Sequence, residues 1–337
     1  MVNKKNTAIL RAELAKRRRI VVLSHVNPDG DSIGSSLALY HFLRQEEERE
    51  VSVIIPNDLP AFLQWLPGAG EIIVGKHAPV ETARLIAAAE MIFFLDFNDE
   101  RRLKKLESPV RENRTAFRVL IDHHPSPVIK ADLLFSETRV SSTAELLFEV
   151  LGALDKSVPD QAVAVNLYAG IMTDTGCFRY NASYPNTWKV VAELMRAGIN
   201  IDEIYTRIYD NYSEHRMRLM GYALDKKMVI LPEKHTGYIW LTRDELDRYG
   251  YVTGDTEGFV NLPLSVEGIR FSALFLELGD KIKISFRSKG SFAVNRFSAA
   301  YFNGGGHHNA AGGECAMTMT ETLKKFESLI GDFADEI

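Results

Sequence analysis

The sequence predicts an α/β protein in which an N-terminal, mostly parallel sheet flanked by helices is followed by a smaller C-terminal α+β domain. Three observations lead to this prediction. The chain has 337 residues, which is more than a single hydrophobic core usually supports. Its first half alternates short apolar runs with longer helical patterns, as is typical of strand–helix units around a parallel sheet. Beyond Met228 the pattern changes to short strands separated by Gly- and Pro-containing turns.

Four strands are predicted in the first half, because four continuous β-branched or aromatic runs match strands that are covered on both faces. Helical spacing of apolar residues follows the first of them. Ser142 and Glu145 predict a capping box at the start of a later helix, which Gly152 is expected to end. The predicted strands are Ile20 to Ser24, Val51 to Ile55, Met91 to Leu95 and Phe117 to Ile121.

The second half of the chain begins after a helical linker in this interpretation. An apolar helix from about Asp160 to Met172 is followed by a charged, Tyr-rich helical stretch from Asp202 to Lys227, which shows no clear core stripe. An amphipathic helix is expected near Glu321 to Phe333. We therefore predict a first domain over residues 1–200, a helical linker over 201–228 and a second domain over 229–337.

Composition excludes several classes of protein. Hydrophobic residues make up 46% of the chain and charged residues 25%, which excludes global disorder, and the net charge of −5 argues against a protein that coats long nucleic acids. The two cysteines lie far apart and form no CxxC pair, so a reducing cytoplasm is expected. No stretch is long and apolar enough to predict a membrane span or a signal peptide.

The turn between the first strand and the next helix carries an unusual set of side chains. It contains one imidazole, His25, and two carboxylates, Asp29 and Asp31. Each alone has an ordinary explanation, since Asp is common in turns and caps and a lone His is often satisfied by the backbone. Together they predict a site, because strand ends line the ligand crevice of an open α/β sheet. Other residues predicted to converge there, also at the ends of strands, are Asp96, Asp122, His123 and His124, and Asp174 holds an equivalent position at the end of a helix.

So many carboxylates in one crevice require cations among them, because like charges a few ångströms apart cannot all stay ionised. The set mixes carboxylate and imidazole without thiolate, which favours a hard or borderline ion over structural zinc. We predict two Mn²⁺ ions about 3.5–4 Å apart, with Mg²⁺ or Co²⁺ as alternatives, arranged for displacement at phosphorus.

The spacing of these residues resembles the DHH phosphoesterase superfamily. The resemblance covers roughly the first 200 residues and is carried by Asp122-His123-His124, preceded by His25-x-x-x-Asp29-x-Asp31 and Asp96 and followed by Asp174. It implies two metal sites that share Asp96, one with His25 and Asp29, the other with Asp31, His123 and Asp174. It also implies that Asp122 orients the triplet and that His124 reaches the scissile phosphate, so the implied catalytic residues are Asp96, Asp122 and His124.

The C-terminal part carries a second motif. The segment from Lys281 to Gly313 contains basic residues but no Asp or Glu, and it includes three consecutive glycines before His307. Such glycines form either a flexible turn or a loop whose successive N–H groups bind an anion. Arg287 ends a predicted strand, where its guanidinium can bind phosphate. This segment resembles the DHHA1 domain, which implies that the terminal phosphate or nucleotide of the substrate is bound by Arg287, Gly305, Gly306 and His307.

A DHH domain followed by a compact DHHA1 domain is similar to the NrnA-type proteins. That resemblance implies hydrolysis of short oligoribonucleotides and of 3′-phosphoadenosine 5′-phosphate, with no membrane and no long duplex nucleic acid as partners. Two alternatives stay open: a phosphodiesterase for cyclic or linear dinucleotides, and a non-catalytic nucleotide-binding sensor. The oligomeric state, including a homodimer, is left open as well.

Overall fold

The computed structural model describes residues 2–155, 157, 159–333 and 337. It divides into two compact units, Met1–Asn211 and Tyr212–Ile337. The segment 201–228, predicted as a linker, contains two α-helices, and each packs into the core of a different unit. Ile204 and Ile208 are buried in the first unit, whereas Leu219 is buried in the second. The expectation that this stretch has no core stripe is therefore wrong, because a break near residues 210–213 limits each stripe to a single short helix.

The first unit is built on a six-stranded sheet in which every pair of neighbouring strands is parallel. The spatial order is β3-β2-β1-β4-β5-β6. From β1 the sheet grows towards one edge through β2 and β3, and from β4 it grows towards the other edge through β5 and β6. A crevice therefore opens between the carboxyl ends of β1 and β4. The strands are β1 Arg19–Leu23, β2 Glu50–Ile55, β3 Ile73–Val74, β4 Met91–Leu95, β5 Phe117–Asp122 and β6 Leu133–Ser136.

Helices cover both faces of this sheet. Alternate residues of β1 face opposite cores: Ile20 and Val22 pack with the larger helical layer, and Val21 and Leu23 pack with the smaller one. All four strands predicted from the sequence are present, and each is buried on both faces as a covered parallel strand should be. The helices of this unit are α1 Lys4–Leu14, α2 Gly30–Arg44, α3 Pro79–Ala88, α4 Glu107–Glu112, α5 Thr143–Leu154, α6 Gln161–Asp174, α7 Pro185–Arg196 and α8 Ile201–Tyr209.

Two predicted details of α5 are wrong. The helix continues through Gly152 to Leu154, since a glycine in a helix weakens it without obliging it to end. The Ser142 side chain does accept from the backbone N–H of Glu145, but the Glu145 carboxylate does not return the bond. Instead that carboxylate is buried and accepts from the backbone and hydroxyl of Ser141 and from the hydroxyl of Thr187.

The second unit contains a mixed six-stranded sheet of order β11-β12-β10-β9-β8-β7. Only β8 and β9 pair in parallel, and the other pairs are antiparallel. A core rich in phenylalanine lies on one face, and helix α9 contributes to a second core on the other. Its strands and helices are α9 Glu214–Tyr222, β7 Met228–Leu231, β8 Thr236–Leu241, α10 Arg243–Arg248, β9 Phe271–Leu278, β10 Lys281–Ser288, α11 Val294–Tyr301, β11 Gly305–His307, β12 Ala310–Cys315 and α12 Met319–Asp332.

The predicted fold class is confirmed by this arrangement. Both halves combine strands with helices, and the first sheet is wholly parallel. Across the part of the chain that the structure describes, no helix has both the length and the apolar character that crossing a bilayer requires.

Candidate functional site

The turn from β1 into α2 is shaped by the side chains predicted to form the site. His25 follows β1 by two residues and is buried. Asp29 is the N-cap of α2, and its carboxylate accepts from the backbone N–H of Ser32 at 3.0 Å while the Ser32 hydroxyl accepts from the N–H of Asp29. Asp31 then lies in the first helical turn, so the cap fixes its direction relative to His25.

The ring of His25 is held with one nitrogen directed at carboxylates. Its Nδ1 lies 2.8 Å from the carbonyl oxygen of Val26. Because a carbonyl only accepts, Nδ1 carries a proton, and in a neutral imidazole Nε2 is then left with a lone pair. That Nε2 lies 3.8 Å from Oδ2 of Asp29 and 3.5 Å from Oδ2 of Asp96, and among the described residues it has no hydrogen-bond partner. A buried lone pair facing two carboxylates suits a cation placed between them.

Asp96 connects two groups of side chains. It follows β4 in a left-handed backbone conformation, with φ of 65°, which is unusual for a residue other than glycine. Its Oδ1 accepts from the hydroxyl of Thr143 at 2.8 Å and lies 3.7 Å from Nε2 of His123. Its Oδ2 faces His25. The two oxygens of one buried carboxylate are therefore directed at two different imidazoles.

The N-terminus of α5 holds the carboxylate of Asp31. Its Oδ2 accepts from the backbone N–H of Thr143 at 2.7 Å, and its Oδ1 accepts from that of Ala144 at 2.8 Å. Helix N-termini favour anions because their first N–H groups lack partners inside the helix. Sequence reasoning missed Thr143, although the predicted cap at Ser142 marked the helix N-terminus that holds this carboxylate.

Asp174 enters the same cluster from the end of α6. Its Oδ2 lies 3.5 Å from Nε2 of His123, which is itself 3.9 Å from Oδ2 of Asp31. Close helix packing allows this approach. A Cβ atom on Gly170 of α6 would lie 2.7 Å from the Cβ of Ala144 and 3.0 Å from Oδ1 of Asp31. Only glycine at this position lets α6 lie so near the carboxylate.

The electrostatics of the cluster indicate an excess of negative charge. Burial raises the pKa of Asp31 well above its ordinary value, and the charges of Asp96 and Asp174 raise it further. Burial, with a further contribution from Asp96, also raises the pKa of Asp174, to about 6. Burial would raise the pKa of Asp96 as well, but the neighbouring imidazoles, those of His25 and His123 among them, hold it below its ordinary value. Divalent cations would relieve this repulsion.

Asp122 and His124 form a pair at the end of β5, where Nδ1 of His124 also lies 3.7 Å from Oδ1 of Asp96. Nδ1 of His124 lies 2.7 Å from Oδ1 of Asp122. Burial alone would lower the pKa of His124, but this hydrogen bond and the charges of Asp96 and Asp122 raise it above its ordinary value. Asp122 is fully buried, so its carboxylate orients the imidazole rather than reaching solvent.

The residues fit a pair of metal ions. In two groups of three, the potential ligand atoms all lie within 4.8 Å of one another: His25, Asp29 and Asp96 form one group, and Asp31, Asp96 and His123 form the other. Asp96 belongs to both. Imidazole nitrogen and carboxylate oxygen without thiolate is a donor set typical of Mn²⁺, Mg²⁺ and related ions.

In the second unit, Arg287 and His307 lie on one face of the sheet. Both pair with Ala310 of the intervening strand, so the three residues form one row across β10, β12 and β11. Side chains in such a row point to the same side. The adjacent Phe286 is fully buried, so Arg287 lies on the face opposite the phenylalanine-rich core. Among the described residues, no carboxylate lies within 4.0 Å of the Arg287 guanidinium, which donates to the carbonyl of Phe286.

For the three glycines the sequence left a flexible turn and an anion-binding loop open, and Gly305 and Gly306 lie in neither. Gly305 and Gly306 belong to the edge strand β11, where successive N–H groups point in opposite directions. Close approach to β12 explains the glycine at position 306, whose φ is 144°: a Cβ there would lie 2.5 Å from the carbonyl oxygen of Ala310. The neighbouring His308 and Asn309 contact the loop after β10.

Comparisons with protein families agree with the division of the chain into two compact units. Residues 19–171 match the DHH family, N-terminal domain, and residues 242–336 match the DHHA1 domain. The chain is 27% identical to the bifunctional oligoribonuclease and PAP phosphatase NrnA of Bacillus subtilis over 297 residues, or 87% of this chain and 88% of that protein. It is 30% identical to the protein of the same name from Thermus thermophilus over 293 residues, or 87% of this chain and 83% of the relative.

Solved structures give a similar result. An exopolyphosphatase-related protein from Bacteroides fragilis is 39% identical and superposes with a TM-score of 0.95, covering 99% of this chain and 98% of the other. RecJ of Thermus thermophilus in complex with Mn²⁺ has a TM-score of 0.54 at 14% identity, covering 99% of this chain and 55% of RecJ. The second likeness concerns the fold alone.

Proposed function

Because this chain belongs to the DHH phosphoesterase family and carries a DHHA1 domain, we propose that it hydrolyses short oligoribonucleotides to mononucleotides and 3′-phosphoadenosine 5′-phosphate to AMP. The names of the relatives from Bacillus subtilis and Thermus thermophilus support this choice of substrates. The proposed cofactor is Mn²⁺, for which Mg²⁺ or Co²⁺ could substitute. Cys177 and Cys315 are both free thiols, which fits the proposed setting in a reducing cytoplasm.

One observation carries the proposal: the buried carboxylate of Asp96 directs one oxygen at His25 and the other at His123. A carboxylate in this position can bridge two cations. We assign the first ion to His25, Asp29 and Asp96, and the second to Asp31, Asp96, His123 and Asp174. Two divalent cations would lower the pKa of a water molecule there and offset the negative charge that develops on the phosphate.

The chain itself supplies an acid beside these ligands. Asp122 keeps the pKa of His124 raised, so the imidazole is disposed to carry a proton. A protonated imidazole can donate a hydrogen bond to a phosphoryl oxygen or a proton to the leaving group. Because Asp122 is buried and contacts the ring directly, its role is to orient His124 rather than to react.

The second unit is proposed to bind the substrate. Arg287 projects from the sheet in the same row as His307, and a planar guanidinium can form two hydrogen bonds with one phosphate. Gly305 exposes backbone without a nearby side chain, and Gly306 keeps the edge strand close to β12. We propose that Arg287, Gly305, Gly306 and His307 bind the terminal phosphate or nucleotide.

The test compares substrates in parallel. The purified protein is incubated with MnCl₂ and a short oligoribonucleotide, 3′-phosphoadenosine 5′-phosphate, a cyclic dinucleotide, its linear product, pyrophosphate or polyphosphate. We expect the first two to be hydrolysed fastest, with rates at least about 100-fold lower in Asp96→Ala and His123→Ala. Asp58→Asn is the matched control, since Asp58 is half exposed and pairs with Lys76 and His77 away from the cluster.

Three other results would change the proposed function or contradict it. Exclusive turnover of the cyclic or linear dinucleotide would replace the proposed substrates with that class. Nucleotide binding without any turnover would indicate a sensor. Full activity in both cluster variants would contradict the proposed metal site.

A further inference from the structure

The loop that follows Asp174 presents aromatic side chains to solvent. Tyr180 is 36% exposed and Trp188, in the first turns of α7, is 51% exposed. Large aromatic side chains are usually at least partly covered, and this pair lies within fourteen residues of a proposed metal ligand.

The backbone of this loop is strained and firmly attached. Cys177 and Phe178 have φ of 58° and 63°, a conformation that is rare for bulky residues and uncommon in succession. The buried residue Thr175 holds it in place: its carbonyl accepts from the N–H groups of Arg179 and Tyr180 at 3.0 and 2.9 Å. Its hydroxyl accepts from the N–H of Phe178 at 3.0 Å. The loop is thus fixed to the residue directly after Asp174.

The strained loop places the ring of Phe178 against that of Trp188 in α7. The ring of Phe178 lies 4.9 Å from that of Trp188 with an interplanar angle of 31°, and its other neighbour is Tyr168 at 6.1 Å. The indole N–H of Trp188 donates to the carbonyl of Ala182 at 2.8 Å, which fixes the plane of the ring. A ring held on one side by Phe178 leaves its exposed part available for stacking.

The start of α7 is also connected to the proposed metal ligands. Thr187 donates to the buried carboxylate of Glu145 at 2.7 Å. Glu145 directly follows Ala144, whose N–H binds Asp31. Trp188 is therefore positioned by the same helix N-terminus that holds Asp31, and Tyr180 by the residue next to Asp174.

We propose that Phe178, Tyr180 and Trp188 form a stacking platform for a nucleobase of the substrate, next to the phosphate that is cleaved. This inference rests on the proposed function. Aromatic side chains stack on any base, because every base has a π face, and stacking gives binding without sequence preference. The guanidinium of Arg179 lies 5.6 Å from the Tyr180 ring centre and adds positive charge beside a negatively charged ligand.

A nucleobase fits these observations better than a second copy of the chain. A protein interface needs a broad surface, whereas the strained loop holds the ring of Tyr180 close in the chain to Asp174. Association through this surface is nevertheless a defined outcome of the test.

The test uses AMP as the probe and ribose 5-phosphate as its counterpart without a base, both added to the Mn²⁺-loaded protein. The chain has three tryptophans, so Trp65→Phe combined with Trp240→Phe leaves Trp188 as the only indole. We expect AMP to quench its fluorescence in a saturable way and ribose 5-phosphate to leave it unchanged. Trp188→Ala combined with Tyr180→Ala should raise the Kd for AMP about tenfold.

Kinetics provide a second measurement. In the double variant we expect KM for a ribodinucleotide to rise about tenfold with kcat nearly unchanged, and no change for an analogue that carries an abasic residue. Trp188→Phe with Tyr180→Phe should restore wild-type values. Met195→Ala is the control, since Met195 is exposed on the same helix but outside the platform.

The inference is overturned if AMP and ribose 5-phosphate bind alike in the wild type, or if the double variant binds AMP as the wild type does. It is also overturned if Trp188→Ala converts a dimer into a monomer in sedimentation without changing the Kd for AMP. Failure of the proposed function looks different: no nucleotide is hydrolysed, whatever the fluorescence of Trp188 does.

Discussion

Oδ2 of Asp96 lies 3.5 Å from Nε2 of His25, and both atoms are buried. Since Nδ1 of His25 donates to a carbonyl, a neutral imidazole would face this carboxylate with the lone pair of Nε2. The contact is favourable only if the imidazole is protonated at both nitrogens or if a cation lies between the two atoms.

Asp96→Asn should abolish binding of Mn²⁺ at both proposed sites, because one oxygen of each site is replaced or made neutral. Titration calorimetry should show at least about 100-fold weaker binding than in the wild type. Saturating Mn²⁺ should raise the melting temperature of the wild type but not of the variant, since a ligand stabilises only the state it binds. Asp58→Asn, with the same change of charge, should behave as the wild type. Retained binding of two ions by Asp96→Asn would contradict the bridging role.

Gly170→Ala should destabilise the first unit and weaken metal binding together. The added methyl group would lie 2.7 Å from Ala144 and 3.0 Å from Asp31, so α5 and α6 must separate. Overpacking of this kind costs about 1–3 kcal/mol, measurable by urea unfolding. The matched control is Gly152→Ala, where nothing lies within 4 Å of the new Cβ. That change should stabilise α5 by about 0.5–1 kcal/mol, and equal effects of the two substitutions would refute the packing argument.

Asp122→Asn should lower the pKa of His124, because the Asp122 carboxylate is one of the groups that raise it. Histidine NMR titration of the metal-free protein measures this directly. With Mn²⁺ and substrate, kcat should fall as well, because the imidazole loses both its orientation and part of its proton affinity. Replacement of His124 itself should cost about 10²–10⁴-fold in kcat. An unchanged pKa in Asp122→Asn would show that the 2.7 Å contact does not hold the proton on His124.

The second unit should lose stability at acid pH through Glu245. Burial would raise the pKa of this carboxyl, but Lys227 at 2.5 Å and the backbone of Thr242 hold it below the ordinary value of 4.5. A depressed pKa in the folded state stabilises the protein above the unfolded-state pKa, and the stabilisation is lost as pH falls through the folded-state value. Unfolding in urea should therefore become easier below about pH 4.5.

Glu245 also limits the stability of the second unit at alkaline pH, through its hydrogen bond with Tyr222. The hydrogen bond to Glu245 raises the pKa of Tyr222 to about 12, so this stabilisation persists at neutral pH and is lost as pH rises through that value. Fluorescence of Trp240 reports the loss of this stabilisation, because Lys227, the partner of Glu245, lies 3.3 Å from the centre of the Trp240 ring. In Glu245→Gln the free energy of unfolding should depend less steeply on pH at both the acid and the alkaline end. Slopes identical to those of the wild type would mean that other groups control the pH dependence.

Local sequence patterns predicted the first unit well, and the reason is physical. A parallel strand that is buried on both faces must be continuously apolar, and Met91–Leu95 is such a run. The second unit was predicted only as a class. Antiparallel strands alternate buried and exposed residues, so each strand has a weaker apolar pattern in the sequence. Which strands pair depends on contacts between distant segments, as in the row that joins Arg287 to His307.

The sequence by itself determined which chemical groups are present and at which ends of strands and helices they lie: His25 after the first strand, Asp96 after the fourth and Asp174 at the end of a helix. The tertiary structure decided which atoms face each other. The order β1-β4 brings His25 to Asp96, and the glycine at position 170 lets Asp31 rest on the N-terminus of α5. Neither fact is local, because each depends on packing between segments far apart in the chain. The strained loop that holds Tyr180 close in the chain to Asp174 belongs to the same category, since hydrogen bonds to Thr175 fix its backbone conformation.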